Sequence, residues 1–160
     1  TEARAKGINW IVLGMHKNCI SIATKSCEIG QDLMDAALDL KIDLILQGHE
    51  HIYARTKQLS LSQTCPSLLI DSFLPACVTD EDNDLTKGAG SVLVISGAGG
   101  YDLRNINQED SEIGYFASYN GLNTGSSYGF SSITVSEKRL EATFVPVTGE
   151  YRDSVRIESE

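Results

Sequence analysis

Short apolar runs punctuate the chain: WIVLGM at 10–15, DLILQ at 43–47 and SVLVIS at 91–96. Runs of this length, bounded by polar and glycine residues, read as buried strands rather than buried helices. Between the first two, Leu33, Met34, Ala37 and Leu38 recur at helical spacing. They predict an amphipathic helix over residues 30–40, with Asp32, Asp35 and Asp39 turned toward water. A strand, a helical crossover and a second strand make parallel neighbours in one sheet. The chain therefore reads as an α/β fold.

The rest of the sequence extends that plan. TEARAKG at 1–7 reads as the last turns of a helix stopped by Gly7, and SLLI at 67–70 as another strand. Gly97, Gly99 and Gly100 form a glycine-rich turn, and residues 105–127, rich in Ser, Asn and Gly, read as a long surface loop. The tail closes with GFSSITVS, a turn through Glu137 and Lys138, RLEATFVPV, and a last strand around SVRIE. Because the chain opens inside a helix-like segment without an N-cap of its own, we expect it to be a piece of a longer polypeptide.

Composition narrows the functional classes. At 160 residues the chain suffices for one domain. Its net charge of −9, from 13 basic and 22 acidic residues, argues against a nucleic-acid scaffold; that role needs a basic stripe to displace phosphate counterions. No apolar run approaches the ~18 residues that a membrane-spanning helix requires. The cysteines fall into two local pairs, Cys19 with Cys27 and Cys65 with Cys77, each closing a short loop and lacking C-x-x-C spacing. Pairs that do not interleave predict two disulfides and an extracellular or secretory compartment, with four buried thiols in a cytosolic protein as the other reading.

Histidine is sparse: His16, His49 and His51 are the whole supply, and each follows a predicted strand. Open α/β sheets place their sites at the carboxyl ends of strands. In an extended segment residues i and i+2 share a face, so His49 and His51 are expected to project together, with Glu50 turned away. Gly48 would permit a turn or a close backbone approach. With His16 on the neighbouring strand, three imidazoles can meet at one sheet edge, a donor set suited to Zn, Fe, Mn or Ni. Histidines that are merely hydrogen-bonded at strand ends are the alternative.

The residues WIVLGMH, a helix, and then QGHEHIYAR resemble the carboxyl-terminal half of the calcineurin-like metallophosphoesterases, in particular the purple-acid-phosphatase-like branch. There a histidine ends one strand and Gly-His-x-His, often followed by Tyr and Arg, ends the next. SVLVISGAGG is similar to the family's glycine-rich strand end, and the last thirty or so residues to its closing strands. The resemblance implies that residues 1–160 form the carboxyl-terminal half of one phosphoesterase domain: half of a β-sandwich of two mixed sheets flanked by helices, completed by an amino-terminal half. It implies two divalent or trivalent metal ions (Fe, Zn or Mn), His16 and His49 binding one and His51 the other. The implied reaction is hydrolysis of phosphomonoesters or phosphodiesters, a metal-bridging hydroxide attacking phosphorus in line. Tyr53 and Arg55 match the residues after the motif and are expected to support it by packing and hydrogen bonding. Lys17 and Asn18 stand where the family often has proline and read as a solvated loop within reach of substrate phosphate.

The family's remaining motifs have no counterpart: the chain has no Gly-Asp, no Asn-His, and no aspartate two residues before a histidine. Asp43, Asp71 and Asp102 read as capping or turn residues rather than substitute ligands. The isolated chain is therefore expected to be inactive, its partner being the amino-terminal half as a separate chain or a cleaved segment. Two other readings stand beside this one. The chain is a non-catalytic metal-binding or structural module with an incomplete site, or it is a mononuclear three-histidine zinc hydrolase with an open fourth position.

Overall fold

In the computed structural model, which describes residues 2–159, the first half runs α1 (Glu2–Ala5), β1 (Val12–Gly14), α2 (Gln31–Asp39), β2 (Leu44–Gln47), β3 (Tyr53–Thr56), β4 (Gln58–Leu59), β5 (Val78–Asp80) and β6 (Asp84–Thr86). It continues with β7 (Val92–Ser96), β8 (Phe116–Asn120), β9 (Tyr128–Val135), β10 (Arg139–Thr148) and β11 (Asp153–Glu158). The expected crossover unit is present: β1 and β2 are parallel neighbours, Val12 opposite Leu44, and β7 joins them in parallel.

Two mixed sheets carry the fold. The first has five strands in the order β1-β2-β7-β3-β8, with β3 antiparallel to both β7 and β8. The second has four, β6-β11-β10-β9, with β10 antiparallel to both neighbours and β6 parallel to β11. Period-two alternation sends Leu44, Tyr53, Val92 and Val94 against Leu140, Phe144, Val155 and Ile157 of the second sheet. The intervening residues Ile45, Ala54, Leu93 and Ile95 face the other way, into a core with Met34 and Leu38 of α2 and with Ile20 and Ile22. The interior parallel strands β2 and β7 are thus buried on both faces, which is why they read as unbroken apolar runs. In β10 buried Leu140, Ala142 and Phe144 alternate with more exposed residues, since only one face is covered.

Several elements differ from the sequence reading. SLLI is not a strand; Leu68 is buried in the α2 core. Its N–H donates to Asp35 Oδ1 at 2.9 Å, and Ser67 Oγ to Asp35 Oδ2 at 2.5 Å. Asp35 therefore clamps a loop instead of facing water. Leu33 is 49% exposed, because the buried stripe of α2 is Met34, Ala37 and Leu38. The loop read over 105–127 contains β8, whose Asn120 side chain is satisfied internally, donating to Ser127 O at 2.8 Å and accepting from Ser127 N–H at 2.9 Å.

Cys19 is bonded to Cys27 and Cys65 to Cys77. The loops they close are tied together by Glu112, which is buried and accepts Ser21 N–H and Asp71 N–H, each at 2.8 Å. Burial pushes this carboxyl up to about 7; the two N–H donors oppose the shift, and nearby Asp110 and Asp71 add to it. The folded chain thus retains a proton that the unfolded chain, titrating near 4.5, has lost. Stability from this group is full below that unfolded value and falls as pH rises through about 7. We predict that stability to urea declines by roughly 2–3 kcal/mol between pH 4.5 and 7.5 on account of Glu112. Glu112→Gln should flatten that slope whatever it does to absolute stability; an unchanged slope would refute the assignment.

Candidate functional site

The carboxyl ends of β1 and β2 lie side by side, with Gly14 opposite Leu46. Beyond the strands, Gly48 N–H and His49 N–H both donate to His16 O, at 3.1 and 2.9 Å. This shared acceptor turns the chain and brings two imidazoles together: His16 Nε2 and His49 Nδ1 are 3.0 Å apart. The other ring nitrogen of His49, Nε2, stands 3.1 Å from Glu28 Oε1. Lys17 Nζ lies 2.8 Å from Glu28 Oε2, and that hydrogen bond, against the opposing effect of burial, holds Glu28 below the usual carboxylate range.

These contacts order the protons. An ionised Glu28 accepts a hydrogen bond from His49 Nε2, which leaves the Nδ1 lone pair aimed at His16 Nε2. Two arrangements satisfy that lone pair: a proton on His16 Nε2, or a cation held by both nitrogens. A carboxylate behind an imidazole is also the device that orients metal-bound histidines. The pair therefore fits two positions of a metal's coordination shell. Among the described residues, no group of three or more His, Cys, Asp or Glu side chains is placed to hold an ion.

His51 does not complete such a group. Residues 49–52 form bends rather than an extended strand, and Ile52 N–H donates to Glu50 O at 2.8 Å. The period-two rule consequently fails here, and the His51 ring packs edge-on to Tyr101 with centroids 4.8 Å apart. Glu50 is fully buried and accepts Thr24 N–H at 2.8 Å, Lys25 N–H at 2.6 Å and Arg104 Nη1–H at 2.5 Å. Burial alone would raise this carboxyl; Arg104 and the backbone donors outweigh it and keep it below its ordinary range. Glu50 thus ties the histidine motif to the Cys19–Cys27 loop.

Two other residues singled out in the sequence, Gly48 and Asn18, occupy different surroundings from those expected. Gly48 needs no special freedom, since a Cβ there would meet only Ser96 O at 3.9 Å. The close approach is made by Gly97, where a Cβ would sit 1.8 Å from Glu50 O. Asn18 is not solvated but fully buried; its backbone carbonyl accepts Glu28 N–H at 3.0 Å and its Nδ2 donates to Ile20 O at 3.4 Å. Tyr53 and Arg55 lie between the sheets, where both meet Asp153, a residue the sequence reading passed over. Asp43 is structural: it accepts Ile11 N–H at 2.8 Å and pairs with Arg4 at 3.1 Å.

The strand order can be set against known structures. The chain is similar to a purple acid phosphatase from yellow lupin (Lupinus luteus) seeds, with a TM-score of 0.67 and 19% identity over 94% of this chain and 25% of the other. The fold is purple-acid-phosphatase-like. At that identity the likeness concerns the fold, and the chain spans about a quarter of its neighbour's length. No protein-family model matches the chain, and no curated protein matches it in sequence.

The close approach at Gly97 makes the two glycines distinguishable. Gly97→Ala forces the β7 end away from Glu50 and should cost about 1–3 kcal/mol, the range for overpacking, whereas Gly48→Ala should change stability by roughly 0.5 kcal/mol or less. Chemical denaturation checks both; equal costs would show that the motif does not lean on Gly97.

Proposed function

We propose that this chain is part of a binuclear metal-dependent phosphatase hydrolysing phosphomonoesters or phosphodiesters. His16 and His49 hold one ion, and His51 contributes to the second. The observation that carries the reading is the pair of facing nitrogens, His16 Nε2 and His49 Nδ1 at 3.0 Å, backed by Glu28 at the ends of adjacent parallel strands. Bound Fe, Zn or Mn ions supply Lewis acidity and offset charge on the phosphate oxygens. The chain's own residues prepare that chemistry. Glu28 keeps the proton on His49 Nε2, Glu50 and Arg104 fix the bend that aims the motif, and the Cys19–Cys27 loop walls the site.

The remaining ligands come from further polypeptide, the amino-terminal half of the same domain. Among the described residues β1 pairs on one side only, and Val12 is 42% exposed. An open edge beside a buried parallel strand supports pairing with another strand. Two disulfides favour an extracellular or secretory setting, and no helix among the described residues is long and apolar enough to cross a membrane. One observation favours the non-catalytic alternative, namely that no three-ligand group is formed within the described chain.

Elemental analysis of the assembled protein separates the readings. His16→Ala and His49→Ala should each lose about one ion per molecule, since neighbouring groups rarely replace a lost ligand. Unchanged stoichiometry in both variants would overturn the assignment. A further expectation concerns the chain by itself: the purified 160-residue polypeptide should not turn over an aryl phosphate with Mn, Zn or Fe added. Turnover that His49→Ala abolishes would place the whole site within this chain.

A further inference from the structure

Residues 69–74 form the middle of the loop that the Cys65–Cys77 disulfide closes, and they adopt neither helix nor strand. They are seated on the short segment Glu112–Tyr115. Asp71 N–H donates to Glu112 Oε1 at 2.8 Å and Leu74 N–H to the Tyr115 hydroxyl at 3.0 Å. The Phe73 ring stands edge-on to Tyr115, centroids 5.0 Å apart, and so close to Gly114 that a Cβ there would lie 2.5 Å from it. Asp71 itself is at φ 55°, a left-handed conformation that is costly for a residue with a side chain. The bond to Glu112 thus holds the strained point of the loop.

Glu112 is 4% exposed, and its second oxygen is taken by Ser21 N–H of the Cys19–Cys27 loop. Burial pushes its carboxyl up to about 7, against the two amide donors. The charged groups that bear on it, Asp110 in its own segment and Asp71 in the facing loop, are both carboxylates and add to the rise. The Cys19–Cys27 loop presents the uncharged Ser21 amide, and Tyr115, raised by burial against its own amide donors, stays neutral. Closing the loop over Glu112 therefore favours a proton on that side chain, and a charge there favours the loop's release.

We propose that residues 69–74 are a flap that Glu112 latches, closed while its carboxyl holds a proton and released as the carboxyl becomes charged. Release admits water to the carboxylate and lets Asp71 leave its left-handed conformation, while the disulfide keeps both ends of the loop in place. Phe73 and Pro75 also wall a cavity of about 320 Å³, together with Lys57, Val78 and Thr79, so a raised flap widens it. The carboxyl titrates near 4.5 when freed and at about 7 when latched. The open population accordingly grows about tenfold per pH unit across that interval and levels off above it. The histidines take no part, so the flap stands apart from the phosphatase reading.

Hydrogen exchange of the assembled protein between about pH 5 and 8, followed at single amides by NMR and corrected for the intrinsic pH dependence of exchange, tests the flap. Asp71 and Leu74 should exchange about tenfold or more faster than the amides of β2 at every pH, the mark of opening without unfolding. Their protection should fall about tenfold per pH unit up to about 7 and then level. Glu112→Gln should abolish that dependence. Asp71→Asn keeps a residue suited to the left-handed region and removes one carboxylate beside Glu112, so its levelling point should move to lower pH. Protection equal to that of β2, protection independent of pH, a dependence that survives Glu112→Gln, or a levelling point that Asp71→Asn leaves in place would each overturn the proposal.

Discussion

Between the two sheets, Arg55 and Asp153 form an ion pair on which the relative placement of everything else depends. Arg55 is 1% exposed and grips the carboxylate with both Nε and Nη2, at 2.6 and 2.9 Å. Nη2 also donates to Asn83 Oδ1 at 2.8 Å, and the Tyr53 hydroxyl donates to Asp153 Oδ2 at 2.7 Å. Burial by itself raises the Asp153 carboxyl and lowers the Arg55 guanidinium. Each is turned the other way by its partner, leaving Asp153 below and Arg55 above its ordinary value. A pair this deep adds little net stability, since desolvation consumes most of the attraction, yet removal of one partner strands a buried charge at a cost of about 3–5 kcal/mol. Its effect is alignment. β3 in one sheet is held to β11 in the other, and because β3 follows the histidine motif directly, the bend at 49–52 inherits a fixed starting point.

Two further buried carboxylates show how the same side chain acquires opposite character from its neighbours. Glu50 and Glu112 both accept backbone N–H groups from the Cys19–Cys27 loop. Glu50 has a guanidinium against it, and Arg104 together with the backbone donors outweighs burial. Glu112 has amide donors but carboxylates, Asp110 and Asp71, as its charged neighbours, so burial prevails. The loop therefore rests on one anchor that stays ionised and another whose ionisation is costly near neutrality. The first lies beside the histidines; the second lies between the two disulfide loops.

What could be read from sequence follows the type of contact each residue makes. β2 and β7 were legible because burial on both faces writes itself as continuous apolar runs, and β10 because one buried face writes itself as alternation. Strand β8 and the clamp at Asp35 were not, since Ser118, Asn120 and Asp35 look like loop or solvent residues until their partners are in place. The strand-end position of the histidines was legible; the turn that divides His49 from His51 was not. That turn depends on His16 O accepting two N–H groups and on Gly97 admitting Glu50 O, neither of which has a local signature. Tyr53 and Arg55 stood out, whereas Asp153, nearly a hundred positions away, carried no mark in its own segment.

The distribution of carboxylates around the histidines also bears on how a complete site is assembled. Glu28 is engaged by His49 and Lys17, Glu50 by Arg104 and four loop donors, and Asp43 by Arg4 and the Ile11 amide. Each of these negative charges already balances a cation or satisfies amides that would otherwise be buried unpaired, and diverting one to a metal would leave its present partners exposed to that penalty. The carboxylates that offset the charge of two ions on the proposed reading must then arrive from outside this set. On that reading, the open edge of β1, the strand that delivers His16, is the place for a segment that brings them.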